Sequence, residues 1–377
     1  MPPINTPAPD TTIKTVETKH SMRPYAIISI LVAVVAIALG VFVYQSRAAA
    51  TKVAGSSTSA PKKIGSANFR QGQSSVEGLK KGLSDLGYNN VAYVEQEIVI
   101  GPTMGDDMHT AFTQMIQQDH VDLIFADHEQ QAQAALAVTA ELGSQTPVVY
   151  LARFHDPVEM KLAASYKSSG NNATGVAQNL VDTVAHNLQF VKEISPNTKK
   201  IGIFGKGFVI PDVGGRYFDE FKKQAEAQGY KVVEYATDAA PPDAQKEFDK
   251  VAASIKPGDI DALFHVPGHF YEAQESAEYA LAKKLKIPHS VPVEDMPGGG
   301  DFSYSADFRA AGTQAAAIVA KIFQGVKPSD IPVEYGEKSI LILNQYRANE
   351  SGIKFPDSML YLSDQIISTS TAATTAQ

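Results

Sequence analysis

The sequence predicts an α/β protein with two similar lobes, each a parallel sheet with helices on both faces, preceded by one apolar helix. Three observations lead to this prediction. An uncharged run occupies residues 25–44, short apolar runs alternate with amphipathic stretches from Pro61 onward, and the same order of elements occurs twice. Strands that alternate with helices in this way are typical of parallel sheets covered on both faces.

The apolar run, YAIISILVAVVAIALGVFVY from Tyr25 to Tyr44, is long enough to cross a membrane. A helix rises ~1.5 Å per residue, so this run spans a hydrocarbon core of ~30 Å. Tyrosines at both ends suit the membrane interface. A cleaved signal segment that ends near residues 48–50 is the alternative. Basic residues on the two sides are nearly balanced, so charge does not fix the orientation.

Composition excludes several classes of protein. The chain of 377 residues has a net charge of −8 and a pI near 5.6, which argues against nucleic-acid binding. It has no cysteine, so disulfides, thiolate metal sites and a lipid-modified cysteine are excluded. The segments outside the folded body are rich in small and polar residues. They are predicted to be a disordered tail at 1–24, a flexible linker at 45–61 and a disordered tail at 368–377.

The first half of the folded body begins with the strand KKIGSANF. Apolar residues then recur at helical spacing from Gln73 to Leu86, and Gly87 suits the C-terminal end of that helix. The half continues with a strand at 91–99, a helix at 107–118, the strand VDLIFAD, a helix at 129–142 and the strand TPVVYLARF.

The second half repeats this order, beginning with the strand KKIGIFGKG. It continues with a helix at 215–228, the strand KVVEYAT, a helix at 243–255, the strand DALFHVPG, a helix at 271–285 and the strand IPHSVPV. Two such halves predict two lobes with a cleft between them. In sheets of this kind, ligands bind beyond the carboxyl ends of the strands.

The candidate ligand-binding residues are mostly polar or aromatic side chains that follow predicted strands. They are Asn68, Phe69, Arg70, His128, Glu129, Gln130, Phe154, His155, Asp156, Lys206, Phe208, His269, Phe270, Tyr304 and Asp307. The aromatic members suit an aromatic box around a flat ligand, with core packing as the alternative.

Three of these candidates have a structural alternative. Asp156 can bind a ligand ammonium, or it can cap the next helix with Pro157 at the first helical position. The backbone N–H groups at Glu129 and Gln130 can hold an anion, or they can be capped by the residues before them.

Catalytic and metal motifs are absent from the sequence. It contains no Gly-x-Ser-x-Gly and no His-Glu-x-x-His, and Gly205-Lys206-Gly207 lacks the spacing of a phosphate-binding loop. His128, His155, His265 and His269 fall near strand ends, which leaves a metal or metal chelate open, but none of them forms a His-x-x-x-His pair on one helix. We therefore predict no catalytic residue, no metal site and no cofactor.

Four segments, in order, resemble the ABC transporter substrate-binding proteins related to the tryptophan and tyrosine uptake systems. They are VEGLKKGLSDLGY, HDPVEMKLAASYKSSGNNATGV, FSYSADFRAAGTQAAAIVAKIFQGVKPSDIPVEY and LNQYRANESGIKFPDSML. The resemblance covers residues 62–367 and implies the type I periplasmic binding protein fold. It implies a first lobe of 62–179 plus 303–336, and a second lobe of 180–302 plus 337–367.

The resemblance also implies a function. We expect a monomeric extracytoplasmic protein that captures a small amino-acid-like or aromatic solute, closes on it and docks on ABC permease subunits. The single apolar helix would hold it at the cell membrane. His269 stands where the family often places an aspartate, so the solute is left open. The alternatives are a membrane-tethered sensor that signals to a partner protein and, third, an enzyme.

Overall fold

A computed structural model describes residues 60–69, 72–99, 101–238, 243–269 and 274–369. The fold described here is that of the unit Thr58–Gln377. The predicted membrane span at 25–44 lies outside the described residues, as do Arg70 and Phe270.

The predicted tails and linker fall almost entirely outside the described part as well. This applies to the tail at 1–24, to the linker up to residue 59 and to residues 370–377. Among the residues that the structure does describe, no helix combines the length and apolar character needed to cross a membrane.

The strands of the described part form two sheets. In chain order they are β1 (Lys62–Asn68), β2 (Val91–Glu97), β3 (Leu123–Ala126), β4 (Val148–Ala152), β5 (Ala173–Ala177), β6 (Lys200–Phe204), β7 (Lys231–Tyr235), β8 (Ala262–Phe264), β9 (His289–Ser290), β10 (Phe302–Ala306), β11 (Glu334–Tyr335), β12 (Ser339–Asn344) and β13 (Gln365–Ile367). The first sheet has the order β11-β5-β4-β3-β1-β2, and the second has the order β13-β12-β10-β9-β8-β6-β7. Neighbouring strands are parallel, except that β10 and β12 are antiparallel.

The helices of the described part connect these strands. They are α1 (Gln73–Asp85), α2 (Met104–Gln117), α3 (Glu129–Glu141), α4 (Val184–Ile194), α5 (Pro211–Ala227), α6 (Ala244–Ser254), α7 (Gln274–Leu285), α8 (Phe308–Phe323), α9 (Gln345–Ser351) and α10 (Asp357–Leu362). The alternation of strands and helices that the sequence predicts is therefore present in both halves.

Both faces of each sheet are covered, which explains the uninterrupted apolar strands. In β3, Leu123 and Phe125 pack with α1 and α8 on one face, while Ile124 and Ala126 pack with α2 and α3 on the other. In the second sheet, β6 and β8 likewise contribute to one cluster with α4 and α5 and to another with α6 and α7. The prediction of two parallel-sheet lobes is confirmed.

The chain passes between the lobes after β5, after β10 and after β11. The predicted return to the first lobe at residue 303 differs from the structure by one strand. Phe302–Ala306 pairs with β9 and β12 of the second sheet, and the return begins with α8, which packs against the first sheet. The pairing partner Ser339–Asn344 lies far along the chain, so the local sequence pattern does not reveal it.

Helices α1 and α8 pack closely because a glycine on each helix faces the backbone of the other helix. A methyl group on Gly312 would lie 1.9 Å from the carbonyl oxygen of Ser75, and one on Gly78 would lie 2.0 Å from that of Arg309. We expect Gly312→Ala to lower the free energy of unfolding by about 1–3 kcal/mol, as overpacking does. Urea denaturation measures this change.

Gly105→Ala is the matched control, because Gly105 lies in α2 and a methyl group there would contact nothing within 4 Å. Its replacement should be neutral or stabilise the protein by up to about 1 kcal/mol. Equal effects of the two substitutions would contradict the close packing of α1 on α8.

Candidate ligand-binding site

A cavity lies where the loops after the strands of the two sheets meet. The first lobe contributes the ends of β1, β3 and β4, and the second contributes the loops after β8 and β9. Its walls are formed by Phe69, Gly72, Asp127, His128, Arg153, Phe154, Leu180, Pro267, Gly268, His269, Pro292, Glu294, Asp295 and Phe308. The accessible space is about 50 Å³, so the cleft between the lobes is closed in this structure.

Arg153 is the centre of an ion-pair network that joins the two sides of this cavity. Its Nη2 lies 2.9 Å from Asp127 Oδ2 in the first lobe, and its Nη1 lies 2.6 Å from Glu294 Oε2 in the second. Its Nε also donates to the backbone oxygen of Asp127, and its guanidinium lies 4.1 Å from the ring centre of Phe308. The guanidinium of Arg153 therefore contacts carboxylates from both lobes and the ring of Phe308.

The acidic partners of Arg153 outnumber it. Burial raises the pKa of Glu294 to about 7, although the attraction of Arg153 lowers it. Burial also raises the pKa of Asp295, the next residue. The cavity wall thus carries three acidic side chains and one guanidinium.

Glu129 holds the loop after β4. Its carboxylate accepts hydrogen bonds from the backbone N–H groups of Arg153, Phe154 and His155, at 2.9–3.1 Å, and lies 2.6 Å from His155 Nδ1. Burial favours the neutral form, but the neighbouring His128 and these donors outweigh it and lower the pKa of Glu129 to about 2. Glu129 is the first residue of α3, so the protein itself places a carboxylate there.

Aromatic rings form the apolar part of the wall. The ring of His128 lies between those of Phe69 and Phe154, with centre-to-centre distances of 5.7 and 5.3 Å. Phe308 completes this wall. Of the thirteen predicted ligand-binding side chains that the structure describes, Phe69, His128, Phe154 and His269 line the cavity.

Two predicted members of the aromatic box lie elsewhere. Phe208 is buried in the core, with its ring 5.4 Å from that of Phe204 and 6.0 Å from that of Phe248. Tyr304 packs against the ring of His186, at 5.0 Å, and lines a separate cavity of about 10 Å³. For Phe208, core packing, the alternative reading of the aromatic pattern, is what the structure shows.

Polar candidates outside the cavity have partners within the protein. Asp156 accepts from the backbone N–H groups of Val158 and Glu159 and from the hydroxyl of Tyr166. It therefore caps a chain reversal, and residues 157–161 form a turn rather than the predicted helix. Both of its oxygens are used by the protein.

The remaining candidates also lie away from the cavity wall. Asn68 accepts from the hydroxyl of Ser66 at the end of β1, and Gln130 is buried in the first turn of α3. Lys206 is exposed and pairs with Asp238. Asp307 caps α8 by accepting from the backbone N–H of Ala310.

Arg153 and Asp127 directly follow buried strands and so belong to the groups that the sequence places at the cleft, but they were not among the ligand-binding candidates. The sequence pattern did not single out Glu294 and Asp295. Glu294 and Asp295 lie in the 3-10 turn Val293–Asp295 after β9, within the segment VPVEDMP. An acidic pair directly after the last strand of a half was the signal for them.

Buried histidines lie beside the cavity in the second lobe. His265 Nε2 lies 3.0 Å from His269 Nδ1, and His265 Nδ1 lies 3.0 Å from Glu278 Oε2. Burial opposes a charge on His265, but attraction to Glu278 outweighs it and raises the pKa of His265 to about 9. Burial lowers the pKa of His269 to about 3.

This geometry agrees with the comparison with known families. The model of the family described as "ABC transporter substrate binding protein" matches residues 71–367. The chain belongs to this family. The match includes every strand of this substrate-binding protein from β2 to β13, and it confirms the resemblance carried by the four sequence segments. No match was found among curated proteins.

Similar solved structures share the type I periplasmic binding protein fold. An ABC domain from Streptococcus pneumonia in complex with L-Trp is 21% identical, with a TM-score of 0.65, and the alignment covers 81% of this chain and 99% of that one. A conserved domain protein from Vibrio cholerae is 22% identical, with a TM-score of 0.68 and coverage of 82% and 100%. A substrate binding protein with adhesive properties from Clostridium difficile, in a ligand-free, open structure, is 21% identical, with a TM-score of 0.60 and coverage of 82% and 99%. At these identities the likeness establishes the fold alone.

Proposed function

We propose that this chain is the extracytoplasmic solute-binding protein of an ABC-type importer. It captures one small amino-acid-like or aromatic solute between its lobes, closes on it and presents it to permease subunits in the membrane. The observation that carries this proposal is the cavity at the carboxyl ends of the strands of both sheets, where α/β folds bind ligands. Membership of the substrate-binding family supports the same role.

The charges of the cavity favour a solute that carries both an ammonium and a carboxylate. Arg153 presents the donors that pair with a carboxylate in two parallel hydrogen bonds. A solute carboxylate that replaces Glu294 on Arg153 would leave Glu294 and Asp295 as partners for the ammonium. The wall thus offers a partner for each of the two charged groups of an amino acid.

The apolar wall favours an aromatic or aliphatic side chain. Phe69, Phe154 and Phe308 present ring faces and edges beside the charged network. Aromatic rings gain about 0.5–1.5 kcal/mol from such contacts beyond the burial of their area. The L-Trp complex among the similar structures supports testing tryptophan first.

Entry of a solute requires the lobes to separate. Contacts across the cleft include Arg153 with Glu294, and at the surface Arg216 of α5 pairs with Glu159 of the first lobe. The crossings after β5, β10 and β11 are the segments about which the lobes would rotate, as in other two-lobed binding proteins. The closed arrangement is the form that a permease would recognise.

Thermal unfolding of the full-length chain with added solutes tests the proposal. We expect L-tryptophan or a related amino acid to raise the unfolding temperature, because a ligand at 100 times its Kd stabilises the folded state by about 2.7 kcal/mol. Tryptamine and indole-3-propionate are matched controls that each lack one charge, and both should stabilise less. If no amino acid, nucleoside or sugar stabilises the chain, or if the solute is converted to product, the proposed function is wrong.

We also propose that residues 25–44 hold the protein at the cell membrane as a single uncleaved span. Its uncharged length and the absence of cysteine for lipidation support this proposal. The full-length chain should stay with the membrane fraction in alkaline carbonate, and a chain that begins at residue 45 should not. If expression of the full-length sequence gives a product that lacks its first 44–50 residues, the segment is a cleaved signal instead.

A further inference from the structure

Two histidines and one aspartate converge on the second-lobe side of the cavity. His265 follows β8, His269 lies four residues later, and Asp295 ends the 3-10 turn after β9. All three are buried, and one potential metal-ligating atom from each lies within 4.8 Å of the others. Gly268, with φ of +83°, turns the chain so that both imidazoles face the same point.

The distances suit a transition-metal ion. His265 Nε2 lies 3.0 Å from His269 Nδ1 and 3.5 Å from Asp295 Oδ2. Tetrahedral Zn²⁺ with ligand distances of about 2.0–2.1 Å places neighbouring ligand atoms about 3.3 Å apart. The two distances measured from His265 are therefore close to that value.

Carboxylates stand behind both histidines. Glu278 Oε2 lies 3.0 Å from His265 Nδ1, and Glu278 Oε1 accepts from Gln274 Nε2 at 2.9 Å. Glu275 Oε2 lies 3.6 Å from His269 Nε2, which is too far for a hydrogen bond. Metal-binding histidines typically donate their second N–H to such a carboxylate, which fixes the ring and makes the ligating nitrogen more basic. Glu278 gives this support to His265.

We propose that His265 Nε2, His269 Nδ1 and a carboxylate oxygen of Asp295 bind one divalent late transition-metal ion such as Zn²⁺. Imidazole and carboxylate are donors that Zn²⁺, Ni²⁺ and Co²⁺ accept. His269 and Asp295 also line the ligand cavity, so the fourth position of the ion faces the space where a solute binds. The site does not depend on a transport role.

The sequence alone predicted no metal site because it has no His-x-x-x-His pair on one helix. His265 and His269 do have the spacing His-x-x-x-His, but in a loop. The intervening Pro267-Gly268 turn brings the two rings together, as one turn of a helix does for residues at this spacing.

Isothermal titration of the chelator-treated, untagged full-length chain with Zn²⁺ alone tests the site. We expect one ion per chain, and His269→Gln should weaken binding by at least about tenfold. His109→Gln is the matched control, because His109 is exposed and pairs with Glu141 at the surface. It should bind Zn²⁺ as the wild type does.

A second measurement on the wild type removes the dependence on a folded variant. Zn K-edge X-ray absorption should show two imidazole ligands and at least one oxygen. A Zn²⁺ complex of glycine that binds more tightly than Zn²⁺ alone would place an amino acid in the fourth position, and equal binding would indicate the free ion as the ligand. Absence of binding tighter than about 1 mM, or equal binding by wild type and His269→Gln, would overturn the proposal.

Discussion

Arg153→Met is expected to lower the free energy of unfolding at pH 7 by about 3–5 kcal/mol, because it removes one side of a buried ion-pair network. Asp127 and Glu294 would lose the guanidinium that lies 2.9 and 2.6 Å from them. Methionine keeps the aliphatic part of the side chain but lacks the guanidinium, so the two ion pairs and the contact with the ring of Phe308 are lost together. Chemical denaturation at constant temperature gives the change.

Two further variants separate this effect from a general sensitivity of the chain. Arg216→Met removes a pair with Glu159 that is largely exposed to solvent, and such pairs contribute about 0–1 kcal/mol. Adding Asp127→Asn and Glu294→Gln to Arg153→Met should recover most of the lost stability, because no buried carboxylate then lacks a partner. If Arg153→Met is as mild as Arg216→Met, the network does not join the lobes.

Glu129→Gln is also expected to lower the free energy of unfolding, by less than Arg153→Met does. The carboxylate accepts three backbone hydrogen bonds from the loop after β4, and an amide nitrogen in its place would face one of those donors. Leaving a buried backbone donor without an acceptor costs about 1–3 kcal/mol. We expect a loss of that order, measured by denaturation.

The same carboxylate makes stability depend on pH. Because the pKa of Glu129 is lower in the folded state, its contribution is complete above pH 4.5 and is lost as the pH falls towards 2. Glu129→Gln should therefore flatten the stability profile between those values. Glu141→Gln, on the same helix and exposed, should leave both the stability and the profile nearly unchanged. A steep profile retained in Glu129→Gln would contradict the assignment.

The fold could be predicted because the forces that set it are local. Strands such as β3, β4 and β5 are buried along their whole length, so they appear in the sequence as continuous apolar runs between amphipathic helices. The lobe assignment of β10 could not be predicted in this way. It depends on the pairing of Phe302–Ala306 with Ser339–Asn344, which no local pattern encodes.

The candidate site could be predicted only in part, for a similar reason. Position after a strand identifies side chains at the sheet edge, and Phe69, His128, Phe154 and His269 reach the cavity from there. The same rule selects Phe208, whose loop turns back so that its ring packs on Phe204 in the core. Which way a loop turns depends on contacts with residues distant in sequence.

The role of Arg153 illustrates the other limit. Its position directly after β4 can be read from the sequence, but its partner Glu294 lies 141 residues further along the chain. Charge complementarity across a cleft therefore becomes visible only when the two lobes are placed together. The grouping of Asp127, Glu294 and Asp295 in the cavity wall becomes visible in the same way.

A crystal structure of the full-length chain with the most strongly stabilising solute tests the central claim most directly. We predict one solute per chain in the cavity between the sheets, with its carboxylate on Arg153 and its side chain against Phe69 or Phe154. Tight stoichiometric binding together with a solute located away from this cavity would contradict the account.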